Sequence, residues 1–83
     1  MYEIFAKKLR KDAVIQCVKL LNQKNPENVV EEEDGLYSHT NSRGKKRMFL
    51  PCNNYKEYKE ALKKYPSANL HRCITYWVLY WVV

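Results

Sequence analysis

The side chains that could do chemistry are few and widely spaced. Two histidines, His39 and His71, and three cysteines, Cys17, Cys52 and Cys73, are the metal- and nucleophile-type residues. Zinc sites bring their ligands in closely spaced pairs. Only His71 and Cys73 are close, and on a strand their i,i+2 spacing puts them on one face. Cys52 follows a proline and Cys17 falls within an apolar helical stripe, so these thiols read as small buried hydrophobes. No metal ligand and no cofactor is therefore assigned. A nucleophilic site needs a base and a group that orients it. Cys73 beside His71 has no such third partner. The carboxylates Glu31 to Asp34 run consecutively and read as solvated, not as a catalytic pair. Two glycines in the whole chain cannot build a phosphate-cradling loop.

Were the chain a small basic ribonuclease, His39, Tyr37 and Arg47 would be the group to test. Without a supporting constellation no catalytic residue is assigned, and a non-enzymatic binding protein is expected. Charge carries more of the signal. Fifteen Lys and Arg against nine Asp and Glu leave a formal charge of +6, a bias towards anionic partners. The cations fall in two clusters: Lys7, Lys8, Arg10 and Lys11, and then Arg43, Lys45, Lys46 and Arg47. Arg72 stands apart, next to His71.

These residues need elements to position them. Tyr2 to Ala6 alternates and predicts a short strand. Asp12 is a candidate N-cap for a helix whose stripe is Ala13, Val14, Cys17, Val18, Leu20 and Leu21, ended at Asn25-Pro26. A second strand begins at Val29-Val30 and passes Gly35 as a bulge. The loop Ser42 to Lys45 then turns the chain into a third strand at Arg47 to Leu50, setting His39 opposite Met48 and Tyr37 opposite Leu50. The competing register makes Asp34-Gly35 a tight turn. Asn53 or Asn54 caps a second helix with Tyr55, Tyr58, Ala61, Leu62 and Tyr65 on its inner stripe, read as core more than as a binding surface. Tyr65-Pro66 ends it. Arg72 to Val83 predicts one long strand.

The order strand, helix, strand, strand, helix, strand is the ferredoxin-like βαββαβ pattern: α+β, one domain over residues 1–83, with both helices on one face of an antiparallel sheet. In that arrangement the two basic clusters and Arg72 meet at one end of the sheet. Their convergence is the footprint of nucleic-acid backbone contact and depends on the hairpin register. Lys7, Lys8, Arg10, Lys11, Arg43, Lys45, Lys46, Arg47 and Arg72 are the expected phosphate contacts. The aromatic placement does not suit the stacking platform of an RNA-recognition motif, which wants rings on two central strands.

The final strand is apolar on both faces, and in the ferredoxin-like order it is an edge. One helical layer covers one face only. The other, with Trp77, Leu79, Trp81 and Val83, is expected to meet a protein partner or a second copy. The alternative function is thus an inhibitor or adaptor of the viral or mobile-element kind, blocking a host enzyme through this strand. No apolar run approaches the ~20 residues of a membrane span. The opening residues lack a signal-peptide core, and with an odd number of cysteines a reducing, cytoplasmic setting is expected.

Overall fold

The computed structural model describes the backbone of residues 2–72 and 76–83, and side chains over 8–70 and 76–83. The chain is α+β, with one five-stranded antiparallel sheet and two helices. The N-terminal segment is not a strand. Helix α1 spans Tyr2–Leu20. Glu, Ala, Lys, Leu and Arg over residues 3–11 are good helix formers with no Gly or Pro among them. Asp12, expected to cap, lies exposed in the middle of the helix instead.

Three strands follow as a meander: β1 Val29–Glu33, β2 Leu36–Thr40 and β3 Lys46–Cys52. Both candidate turns exist. Glu33 pairs with Leu36 across Asp34-Gly35, and Gly35 takes the positive φ of 81° that such a tight turn needs. The irregularity expected at Gly35 lies instead between Glu31 and Glu33. The second hairpin pairs Thr40 with Lys46, which puts His39 opposite Arg47 and Tyr37 opposite Phe49. That is one residue away from the sequence expectation, and a one-residue slip exchanges the faces of a strand.

Helix α2 spans Tyr55–Lys64. Its N-cap is Asn54, whose side chain accepts from Glu57 N–H at 2.9 Å, while the Glu57 carboxylate accepts from Asn53 N–H at 3.0 Å. This reciprocal exchange is a one-residue variant of the capping box. The expected C-terminal strand is two strands, β4 Asn69–Arg72 and β5 Trp77–Val82, paired antiparallel with Arg72 opposite Trp77.

The sheet order β1-β2-β3-β5-β4 replaces the ferredoxin-like order, and the element order α-β-β-β-α-β-β replaces βαββαβ. Strand β5 is inserted between β3 and β4 and is not an edge. Nor do the helices share a face. Val78 and Tyr80 of β5 join Phe49, Tyr37 and Val29 against Ala13, Val14, Cys17 and Val18 of α1. Trp77 and Trp81 alternate to the opposite face, where they stack on Tyr58 of α2 and on its C-cap residue Tyr65 at 5.3 and 4.3 Å between ring centroids. A strand apolar on both faces is what a sheet sandwiched between two helices requires.

The α1 side is the better sealed. Phe49, Val14, Val18 and Val78 have no exposure there. No residue of α2 is fully buried, so that layer lies over the sheet as a lid of half-buried rings.

Candidate anion-binding site

Two tight backbone devices bring the second basic cluster against the end of α1. The first is the β2–β3 loop. Asn41 Oδ1 accepts from the N–H groups of Arg43 and Lys45, both at 2.9 Å. Gly44 N–H donates to Asn41 O at 3.0 Å, and Asn41 N–H donates to Lys45 O at 2.9 Å. Gly44 itself sits at φ 81°, the left-handed position that closes such a loop. Asn41 thus fixes the path from which Arg43 and Lys45 extend.

The second device ends α1. Gln23 N–H donates to Val18 O at 3.3 Å and Asn22 N–H to Lys19 O at 3.0 Å, with Asn22 left-handed at φ 58°. This is the Schellman arrangement, with Asn in the position glycine usually takes. It satisfies carbonyls that would otherwise present the negative end of the helix dipole to an anion. The chain then passes Lys24 and Asn25, whose carbonyl oxygens lie 3.1 and 3.0 Å from His39 Nε2. A carbonyl only accepts, so Nε2 carries the proton and the ring donates to both. His39 is 2% exposed; it pins the α1–β1 connection to β2.

Between these devices lies a depression of 360 Å³ lined by Asn22, Gln23, Lys24, Asn41, Ser42, Arg43, Lys45 and Arg47. Half of these residues are cations and none is a carboxylate. Arg47 is cross-strand partner of His39 and half-buried. Its Nη1 is buried with no acceptor among the described residues. An unpaired buried donor costs about 1–3 kcal/mol, and more when charged. Four cations with neutral amides and a hydroxyl between them can take an oxyanion: a guanidinium fork for two oxygens, ammonium groups for charge, amides for the periphery.

The two basic clusters do not converge. Lys8 and Lys11 flank a depression shared with Glu31 and Tyr37. Arg10 borders another with Asp34 and Gly35. Those residues belong to the Asp34-Gly35 end of β2, whereas Arg43 to Arg47 lie at its other end. Lys7 and Arg72 have backbone positions on α1 and β4, and their side chains lie outside the described residues. Lys46 is engaged by Glu32 at 2.9 Å. Ser38 Oγ–H donates to the same carboxylate oxygen at 2.6 Å. That hydrogen bond, with Lys46 behind it, holds the Glu32 carboxyl below the usual range. Lys24 joins the site although it stands outside both basic clusters of the sequence. Asn22 and Gln23 carried no signal.

The aromatic strand is placed differently from expectation. Leu79 has no exposure, and Trp77 lies between Tyr55 and Tyr58 at 5.4 and 5.3 Å. Three of the four expected interface residues are therefore packed within the chain, since Trp81 stacks on Tyr65. Only Val83, 75% exposed, faces outward.

Elsewhere the chemistry is muted. Burial pushes the Cys52 thiol up to about 11, with Glu57 adding to it, which removes the thiolate a nucleophile needs. Burial also raises the Tyr37 phenol, 2% exposed. With His39 committed to two carbonyls, the group of Tyr37, His39 and Arg47 is a wall of the α1 face. The His71–Cys73 pair falls outside the described side chains. Among the described residues no three His, Cys, Asp or Glu gather as metal ligands, and no helix is long and apolar enough to cross a membrane. Comparison with protein-family models, curated proteins and solved structures finds no match.

Proposed function

We propose that this chain is a small non-catalytic protein that binds nucleic acid through the phosphate backbone, at the β2–β3 hairpin and the end of α1. Lys24, Arg43, Lys45 and Arg47 are the contacts. The observation that carries the reading is the depression itself: its charged lining residues, Lys24, Arg43, Lys45 and Arg47, are all positive. Such a cluster is stabilised by an anion from outside the chain, and phosphate oxygens supply charge and acceptors together. Lys8, Arg10 and Lys11 of α1 are not among the contacts, because they lie near Glu31 and Asp34, which would repel the same backbone.

Binding of this kind discriminates weakly among sequences, since phosphates carry no base information. The test is fluorescence anisotropy with labelled single- and double-stranded oligonucleotides over a salt series. Four phosphate contacts predict a log–log slope of about −3 on a single strand. Absence of binding at low salt, or binding indifferent to salt, contradicts the reading.

A further inference from the structure

The depression between the β2–β3 loop and the end of α1 holds its charge more densely than an internal backbone requires. Lys24 lines it from the end of α1, Arg43 and Lys45 from the loop and Arg47 from β3, all around one space of 360 Å³. Among the described residues none of these four is in an ion pair, whereas Lys46 of the same hairpin is taken by Glu32. The space is near the lower end of the roughly 300–1,000 Å³ over which small-molecule sites range. It suits one nucleotide-sized group, not a run of them. Internal phosphates each bring a single charge and follow one another along the strand, so a surface that tracks them spreads its cations along a groove. Four cations around one small space call for more negative charge at one point.

The carbonyls of the two bounding devices do not offset that charge, because they are already occupied. Val18 O and Lys19 O take the N–H groups of Gln23 and Asn22. Lys24 O and Asn25 O take the Nε2–H of His39. Asn41 O and Lys45 O are used within the loop. The side-chain amides are partly spent as well. Asn41 Oδ1 accepts twice from the loop backbone, which leaves its Nδ2 to donate to an anion. Gln23 Nε2 donates to Leu21 O at 2.8 Å, which leaves its Oε1 to accept. That oxygen does not suit a phosphate; it suits a sugar hydroxyl or a base amino group beside one.

We infer that the depression takes the terminal phosphate monoester of a strand, at its 5′ or its 3′ end, with the last nucleotide against the amides. The inference rests on the backbone-binding reading and names the phosphate that the site prefers. A terminal monoester carries about −1.5 to −2 at pH 7 and three strong acceptor oxygens. An internal phosphodiester carries a single charge and one such oxygen fewer. The guanidinium forks of Arg43 and Arg47 match a pair of oxygens each, and the ammonium groups of Lys24 and Lys45 answer the remaining charge. Internal phosphates meet the same cations less tightly.

The experiment is fluorescence anisotropy at low salt with single strands of one sequence, hydroxyl-ended, 5′-phosphorylated or 3′-phosphorylated, each labelled at the end away from the phosphate. A hydroxyl-ended strand two nucleotides longer is the control for added charge. A phosphorylated strand is expected to bind about tenfold tighter than this control, the effect of one more charge-assisted hydrogen bond. The end that shows the preference identifies its source. Arg43→Gln with Lys45→Gln, both exposed positions, is expected to bring the phosphorylated strand down to its control. Lys8→Gln with Lys11→Gln is expected to keep the preference. Equal binding of phosphorylated strands and control overturns the inference and leaves the backbone reading standing. No binding of any strand overturns both. A preference that survives Arg43→Gln with Lys45→Gln puts the strand end elsewhere and also overturns the inference.

Discussion

Arg47 is a residue whose folding and binding roles pull apart. It is half-buried, and its Nη1 is buried with no acceptor among the described residues. Arg47→Met keeps the stem and removes the unpaired charged donor. The chain should then melt at the same temperature or higher, by up to about 1 kcal/mol. Oligonucleotide affinity should drop roughly tenfold or more, one charge-assisted hydrogen bond being about 1.5–3 kcal/mol. Paired melting and anisotropy curves check this; loss of both together would mean that Arg47 serves the core alone. At the same scale, Ser38 sets the carboxyl of Glu32. A lowered folded pKa gives stability that is present above the unfolded value and lost as pH falls through the folded one. Glu32 therefore weakens the chain only in acid, below its ordinary carboxylate range. Ser38→Ala should move the Glu32 titration upward, as read by side-chain NMR. The sequence exposed Arg43, Lys45 and Arg47 as a basic cluster, because a charge is legible without context. It could not reveal His39 as a clip, since its two acceptors are backbone carbonyls fourteen and fifteen residues away.

At the scale of elements, the site rests on two chain reversals that need left-handed residues. Asn22 at φ 58° closes α1, a position where a residue with Cβ is strained unless a short polar side chain relieves it. Asn22→Val should cost about 1–2 kcal/mol, while Asn22→Gly should be tolerated. Chemical denaturation of the two variants separates backbone conformation from side-chain contact. The helices and hairpins were partly legible. The stripe of Ala13, Val14, Cys17, Val18 and Leu21, the cap at Asn54 and the loop before Lys46 all follow from local pattern; Leu20, expected on the same stripe, is 64% exposed instead. The misreading at Tyr2–Ala6 has a local cause too. Five residues alternate as well in a strand as they fit a helix, and the helix-forming run after them decides the matter only once α1 is seen to continue through it. The one-residue slip at the second hairpin arose because Asn41 enters the loop to accept two N–H groups, which lengthens the connection by one.

At the scale of the whole molecule, strand order decides where the charges lie. Apolarity on both faces of Trp77–Val82 was read as a surplus to be covered by a partner. Inserting β5 between β3 and β4, with a helix on each side, covers it from within. No local pattern states which strands are neighbours, so this part of the fold was not legible. The consequence is electrostatic. The cations of α1 sit beside the acidic β1–β2 turn, whereas Lys24, Arg43, Lys45 and Arg47 line a depression with no carboxylate in its lining, and Lys46 of the same hairpin is paired with Glu32. Among the described residues the cations are thus divided between one end shared with carboxylates and one depression lined without them.

That claim is tested most directly by neutralising each basic cluster separately and measuring the salt dependence of oligonucleotide binding. Replacing Lys24, Arg43 and Lys45 by Gln should flatten the log–log slope by about two, at ~0.7 per lost contact on a single strand, and weaken binding strongly at low salt. Replacing Lys8 and Lys11 by Gln should leave the slope close to that of the wild type. Equal losses from both sets would show diffuse attraction to a net positive chain and would contradict a site at the hairpin end.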